Sequence, residues 1–198
     1  MKPYAESCDQ NKDPILDVLR PLLSSCSAVL EIGSGTGQHA VYFAARLPHL
    51  HWIPSDCDEN LPGIALWRQE ADLPNVHAPL ALDVTQANWP EVDVQAVFSA
   101  NTAHIMSWPQ VQALFRGVGE TLPGGGLFLL YGPFNYGGSY TSDSNRRFDA
   151  WLQARDPLSG VRDFEALDQL AAQAGMQLQD DIVMPANNRI LCWRKQSG

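Results

Sequence analysis

A chain of 198 residues with 13 Lys+Arg against 22 Asp+Glu, a formal charge of −9, has the length of one domain of about 100–200 residues and an acidic surface ill suited to phosphate backbones. A polynucleotide partner is therefore disfavoured, and the only adjacent basic pairs are Arg146-Arg147 and Arg194-Lys195. No apolar run approaches the ~20 residues that cross a bilayer, and Met1 to Glu6 lacks the charged-then-apolar layout of a signal peptide.

Asp13-Pro14 is a good helix opening, with Ile15, Leu16, Val18, Leu19, Leu22 and Leu23 following at helical spacing. Residues 1–26 thus form an N-terminal helical segment. Ala28 to Ile32 reads as a strand running into glycines, and His39 to Leu47 as a helix. A second strand is predicted over His51–Pro54, a helix over Leu61–Ala71, a third strand over Pro79–Val84 and a fourth over Val94–Ala100. Ser107-Trp108-Pro109 caps a helix to about Leu122, and Gly124-Gly125-Gly126 turns the chain into the apolar strand Leu127–Tyr131. Asp163 caps a helix to Ala174. Met176–Met184 and Arg189–Arg194 are then two strands joined by a short turn, which makes them antiparallel. Alternating strands and helices imply an α/β fold, a doubly wound and mostly parallel sheet with helices on both faces and one reversed strand at the end. The four scattered cysteines, Cys8, Cys26, Cys57 and Cys192, read as reduced cytoplasmic thiols.

The sharpest signal is Glu31-Ile32-Gly33-Ser34-Gly35-Thr36-Gly37, three alternating glycines after a strand and an acid two residues before the first. A P-loop would end in Gly-Lys-Ser/Thr, and no lysine occurs between Lys12 and Lys195. A nicotinamide site would favour G-x-G-x-x-G, which this loop lacks. The loop resembles the first motif of class I S-adenosylmethionine-dependent methyltransferases, E/D-x-G-x-G-x-G. Three stretches are similar to a family of short methyltransferase-like proteins catalogued as a domain of unknown function: Asn11 to Leu16, Gly37-Gln38-His39-Ala40-Val41-Tyr42-Phe43, and Pro54-Ser55-Asp56.

The resemblance implies a seven-stranded sheet, a single domain over residues 1–198 and S-adenosylmethionine as cofactor. It places the donor among Gly33, Ser34, Gly35, Gly37 and Gln38, with Asp56 on the ribose, Asp83 on the adenine amino group and Val84 against the ring. Glu31 would orient the loop or the donor's ammonium group, with Asn11 and Ala100 also on the donor side. The donor has no phosphate, so no lysine is needed, and its carboxylate suits the N–H groups of a helix start near Gly37. The competing readings are a tight turn for the glycines, a cap or solvated loop acid for Asp56, as for Asp58, and a residue merely preceding a cap for Asn11.

By the same resemblance, the segment after the fourth strand lies beside the transferred methyl group. His104 is the best-placed general base there, with Asn101 and Tyr131 as further catalytic candidates; the alternative for His104 is a hydrogen bond inside the fold. Tyr131 to Asn145 is long and aromatic and predicts a flexible substrate loop, an insertion over 132–160. It would offer Phe134, Tyr136 and Tyr140 to an apolar acceptor. Arg146, Arg147 and Arg162 suit an anionic one, with Arg147 the chosen candidate. Nothing has metal-ligand spacing. The expected activity is methyl transfer to a small molecule, the alternative a non-catalytic sensor of S-adenosylmethionine or its demethylated product. No heptad or exposed strand marks an oligomer interface.

Overall fold

The computed structural model describes residues 1–198. Its strands are β1 (Ala28–Ile32), β2 (His51–Asp56), β3 (Leu80–Ala81), β4 (Ala96–Ala100), β5 (Leu127–Gly132), β6 (Phe134–Asn135), β7 (Arg162–Asp163), β8 (Met176–Met184) and β9 (Asn188–Lys195). Its helices are α1 (Glu6–Leu22), α2 (Gln38–Arg46), α3 (Leu61–Ala71), α4 (Trp108–Thr121), α5 (Asp143–Arg155) and α6 (Phe164–Gln173). Seven strands form one sheet in the order β3-β2-β1-β4-β5-β9-β8, and β6 pairs with β7 in a small parallel ribbon. Parallel pairing of β1 with β2 and β4, and of β2 with β3, gives the doubly wound arrangement. β9 runs antiparallel to both β5 and β8, so the reversed strand lies where the turn at residues 185–187 requires it.

The chain divides into two compact units, Met1–Ser99 and Ala100–Gly198. In the first, β1 is buried along its whole length, the expected state of a central parallel strand. Phe43, Trp52 and Phe98 meet there, Phe43 edge-on to Phe98 at 5.7 Å. In the second, Phe115, Phe128 and Trp193 make the matching cluster with centroids 5.2–5.6 Å apart. Aromatic pairs in these geometries add about 0.5–1.5 kcal/mol beyond the area they bury. The Ser107 cap is present with its capping box to Gln110. No helix is long and apolar enough to cross a membrane.

Three elements depart from expectation. α1 starts at Glu6, so Pro14 sits inside it and Asp13 is not its cap. The third strand shrinks to Leu80–Ala81, because Asp83 spends its carboxylate on a turn with Thr85. The stretch after β5 is ordered: β6, a tight turn bridging Tyr136 to Ser139, then α5 capped by Ser142. Gly137 and Gly138 have left-handed φ values of 57° and 72°, which only that turn demands.

Candidate active site

Within the first unit, the carboxyl ends of β1 and β2 shape a cradle. Gly33, Gly35 and Gly37 all have positive φ, at 70°, 58° and 92°. A Cβ on Gly35 would meet nothing within 4 Å, whereas one on Gly37 would stand 3.0 Å from Ile64 Cα and 3.3 Å from Trp67 Cβ. One glycine therefore keeps space open, and the other lets α3 pack against the loop. Asp56 ties the loop to β2, since its Oδ2 accepts the Gly35 N–H at 2.7 Å. Its Oδ1 accepts from the Cys57 N–H at 2.7 Å and the Asn60 side-chain amide at 2.9 Å. A carboxylate has about four acceptor positions, so roughly one remains for a ligand hydroxyl. Gly37 at the cap has no side chain, and Thr36 Oγ1 accepts the first N–H of α2, from Gln38, at 3.2 Å; the next N–H groups of the first turn have no partner within the helix and suit an anion.

Glu31 is buried beneath this loop, accepting the Trp52 indole N–H at 2.9 Å. Burial pushes its carboxyl up to about 7, with the Trp52 and Ser34 hydrogen bonds opposing the rise. Ser34 is itself buried, and its hydroxyl accepts the Ser55 N–H at 3.1 Å. Asp83 accepts both the N–H and the hydroxyl of Thr85 through Oδ1, at 2.9 and 2.7 Å, and these bonds hold it below the usual carboxylate range. Val84 is buried beside it.

Gln38 and Asn11 face the N-terminal segment. Gln38 Oε1 accepts from the Ala5 N–H at 2.6 Å and the Thr36 hydroxyl at 2.9 Å. Asn11 Oδ1 lies 2.7 Å from His39 Nε2, and burial lowers His39 to about 4. Sequence reasoning missed His39, Trp52, Asn60 and Ser55, whose partners come from other elements. Only Asn60, four residues beyond Asp56, stands at a telling spacing.

In the second unit, Asn101 follows β4 with φ 57°, and its N–H donates to the Tyr131 carbonyl at 3.0 Å. Ala100, the last residue of β4, is half-buried, and Tyr131 is buried. His104 is buried against the edge of Phe148, with ring centroids 5.1 Å apart. Burial first, and the Arg162 charge second, lower it to about 4, so the ring is neutral at physiological pH. A neutral imidazole can accept a proton, but one this weak suits an acidic or hydrogen-bonding acceptor.

Arg162 is not a free anion site. It donates to the carbonyls of Ala103 (3.3 Å), Leu158 (2.8 Å) and Met106, bracing the loop that carries His104. Gly160 N–H to the His104 carbonyl, at 2.9 Å, adds a second brace. Asp149, which sequence reasoning passed over, holds that brace in place by accepting the Val161 N–H at 2.8 Å, the Tyr140 hydroxyl and Gln153.

Phe134 is buried in β6. Tyr136 stacks on Phe164 at 5.3 Å and donates to Asp181 at 2.7 Å. Tyr140 is partly exposed, and Arg147 lies exposed on α5. The tyrosines are thus fastened to the frame through their hydroxyls, which the aromatic content of the segment could not reveal.

Solved structures share this fold. An O-methyltransferase family protein from Burkholderia thailandensis superposes with a TM-score of 0.83 at 14% identity, over 94% of this chain and 57% of that one. Human N-acetylserotonin methyltransferase, in complex with S-adenosylmethionine, gives 0.79 at 17% identity over 97% and 53%. An O-methyltransferase family 2 protein from Planctomyces limnophilus, in complex with apigenin, gives 0.80 at 19% over 93% and 56%. The chain spans a little over half the length of these proteins. A family model described as "Protein of unknown function (DUF938)" matches residues 2–195, and the chain belongs to that family.

Proposed function

We propose that the protein transfers a methyl group from S-adenosylmethionine to a small-molecule acceptor. The observation that carries this reading is the glycine loop at the end of β1, open beside Gly35 and tied to the carboxylate that ends β2. Bound there, S-adenosylmethionine supplies an electrophilic methyl group on a sulfonium. The residues present fit it. The open α2 terminus takes its carboxylate, the remaining acceptor position of Asp56 takes a ribose hydroxyl, and Asp83 with Val84 takes the adenine. Gly33 and Ser34 supply backbone to the cradle, Ala100 is a further donor-side candidate by the family resemblance, and Glu31, bonded to Trp52, lies beneath the loop. The likeness of fold to S-adenosylmethionine-dependent enzymes supports the choice of donor.

On the acceptor side, His104 accepts a hydrogen bond or proton from the attacking group, and Asn101 and Tyr131 fix the backbone from which His104 projects. Phe134, Tyr136, Tyr140 and Arg147 belong to the acceptor side of this reading. Four cysteines outside any disulfide and an acidic composition favour the reducing cytoplasm and an acceptor other than nucleic acid. Calorimetric titration with S-adenosylmethionine, S-adenosylhomocysteine and NADH tests the donor. Binding of the first two alone is expected, and binding of NADH alone refutes the reading. His104→Gln should keep donor affinity while lowering turnover, and unchanged turnover would make His104 a packing residue.

A further inference from the structure

The N-terminal segment is held very differently along its length. Every buried residue of α1 follows Pro14: Ile15, Leu16 and Leu19, with Leu23 just beyond. Before Pro14, α1 has no buried residue, and Pro14 itself lacks the N–H that would hold the Gln10 carbonyl. A proline at the junction of an anchored and an unanchored half-helix is a hinge. The outer half and the residues before it lie across α2 and α3. Trp67 donates its indole N–H to the Pro3 carbonyl at 2.7 Å, and Lys2 pairs with Glu70 at 2.6 Å while its ammonium sits 3.6 Å from the Trp67 ring. Asn11 meets His39, and Gln38 bonds both ways with the Ala5 backbone. Beneath it lies a cavity of about 280 Å³ lined by Cys8, Lys12, His39, Tyr42 and Trp67. Polar ties over an unfilled seam are the signature of a segment that opens locally.

The ties converge on the glycine loop. Gln38 is the first residue of α2, and its Oε1 is shared between the strap, at Ala5, and the loop, at Thr36. We propose that residues 2–13 are a strap, hinged at Pro14, whose docking on α2 and α3 sets how fast the donor leaves the glycine loop. The proposal rests on the donor-site reading above. Docking stiffens the loop through Gln38, and a bound donor, by holding the loop, favours the docked strap; the two effects are reciprocal.

Gly63 offers a test outside the donor site. It lies in α3, where Ala is the better helix former, yet a Cβ there would stand 2.6 Å from Pro3 Cγ and 3.2 Å from Cδ. Gly63→Ala should therefore lift the strap without harming the helix. Pro3→Ala removes both clashing atoms, leaving only a Cβ at 3.8 Å, so the double variant should dock again. Lys2→Glu, which faces Glu70 with a like charge, undocks the strap by repulsion.

Dissociation of S-adenosylhomocysteine, followed by displacement, and hydrogen exchange over residues 2–13 are measured in all four variants and the unsubstituted protein. Both Gly63→Ala and Lys2→Glu should speed exchange and raise the release rate about tenfold, with the double variant returned to the unsubstituted rate. Faster exchange with unchanged release overturns the gate. Unchanged exchange in both undocking variants overturns the hinge. If the unsubstituted protein binds no S-adenosylhomocysteine, the donor-site reading has failed and the gate with it.

Discussion

Gly35 and Gly37 stand two residues apart in one loop, and alanine at each should do opposite things. At Gly37, φ of 92° puts an L-residue in the left-handed region at a cost of about 1–2 kcal/mol. The new Cβ would also press to 3.0 Å on Ile64 Cα, a backbone atom that cannot rotate aside. Overpacking of that kind costs about 1–3 kcal/mol, so the total is about 2–5 kcal/mol out of a typical domain stability of about 5–15. At Gly35, φ is 58° and the Cβ meets nothing within 4 Å. Only the backbone cost remains, about 1 kcal/mol after the smaller entropy of the unfolded alanine chain is allowed for. That Cβ would, however, fill the space assigned to the donor. Urea unfolding and calorimetric titration with S-adenosylmethionine separate the two. Gly37→Ala should show the large loss of stability. Gly35→Ala should stay folded and lose at least about tenfold in affinity, about 1.4 kcal/mol. Native affinity in Gly35→Ala would refute the placement of the donor beside Gly35, and near-native stability in Gly37→Ala would refute the packing argument.

Burial raises Glu31 to about 7 in the fold, above its ordinary 4.5, so the folded state holds a proton that the unfolded state has released between those values. Its stabilising effect is full below about 4.5 and is lost as pH rises through about 7, an order of 3 kcal/mol in all. The stability of the unsubstituted protein relative to Glu31→Gln, read from urea midpoints, should fall by this amount between about pH 4.5 and 7. His39 and His104, held down to about 4, act in the opposite sense between about 4 and 6.5, so the difference between the two proteins isolates Glu31. Asp149→Ala strands the buried Val161 N–H and removes the bond of the more exposed Tyr140 hydroxyl, and should cost about 2 kcal/mol by thermal or urea unfolding. A cost below about 1 kcal/mol would mean that the segment bracing His104 is held by other contacts. Tyr136→Phe removes one half-buried hydrogen bond to Asp181 and should cost about 1 kcal/mol, leaving the stack on Phe164 in place, which the near-ultraviolet circular dichroism checks.

The sheet was legible because its evidence is local. Ala28–Ile32 and Leu127–Tyr131 are continuous apolar runs of strand length beside glycines, and a turn of a few residues between the last two strands leaves antiparallel pairing as the only geometry. Likewise the glycine loop announces itself by composition. What lay beyond reach was every feature made by partners distant in sequence. Asp149 gains its meaning from Val161 and Tyr140, and Arg162 from carbonyls of residues 103, 106 and 158. A side chain read alone shows which bonds it can make, and an arginine near a presumed acceptor looks like an anion site until three backbone oxygens are found around it.

The start of α1 shows why such misses carry information. Local propensity starts the helix at Asp13-Pro14, since proline suits a first turn and costs about 3 kcal/mol inside one. The fold nonetheless extends it back to Glu6, and the ties that hold the extension are Gln38, His39, Trp67 and Glu70, all on other elements. Residues 6–13 are helical despite a proline that would end the helix; Asn11 ties them to α2 through His39, and α2 and α3 hold Lys2, Pro3 and Ala5 just before them. Where tertiary contacts override a local signal with polar bonds over a cavity, the overridden segment is the one whose conformation a bound ligand can most readily bias. The disagreement between propensity and fold at Pro14 therefore marks the proposed hinge, and the strap before it reaches the loop through Gln38, which bonds both Ala5 and Thr36.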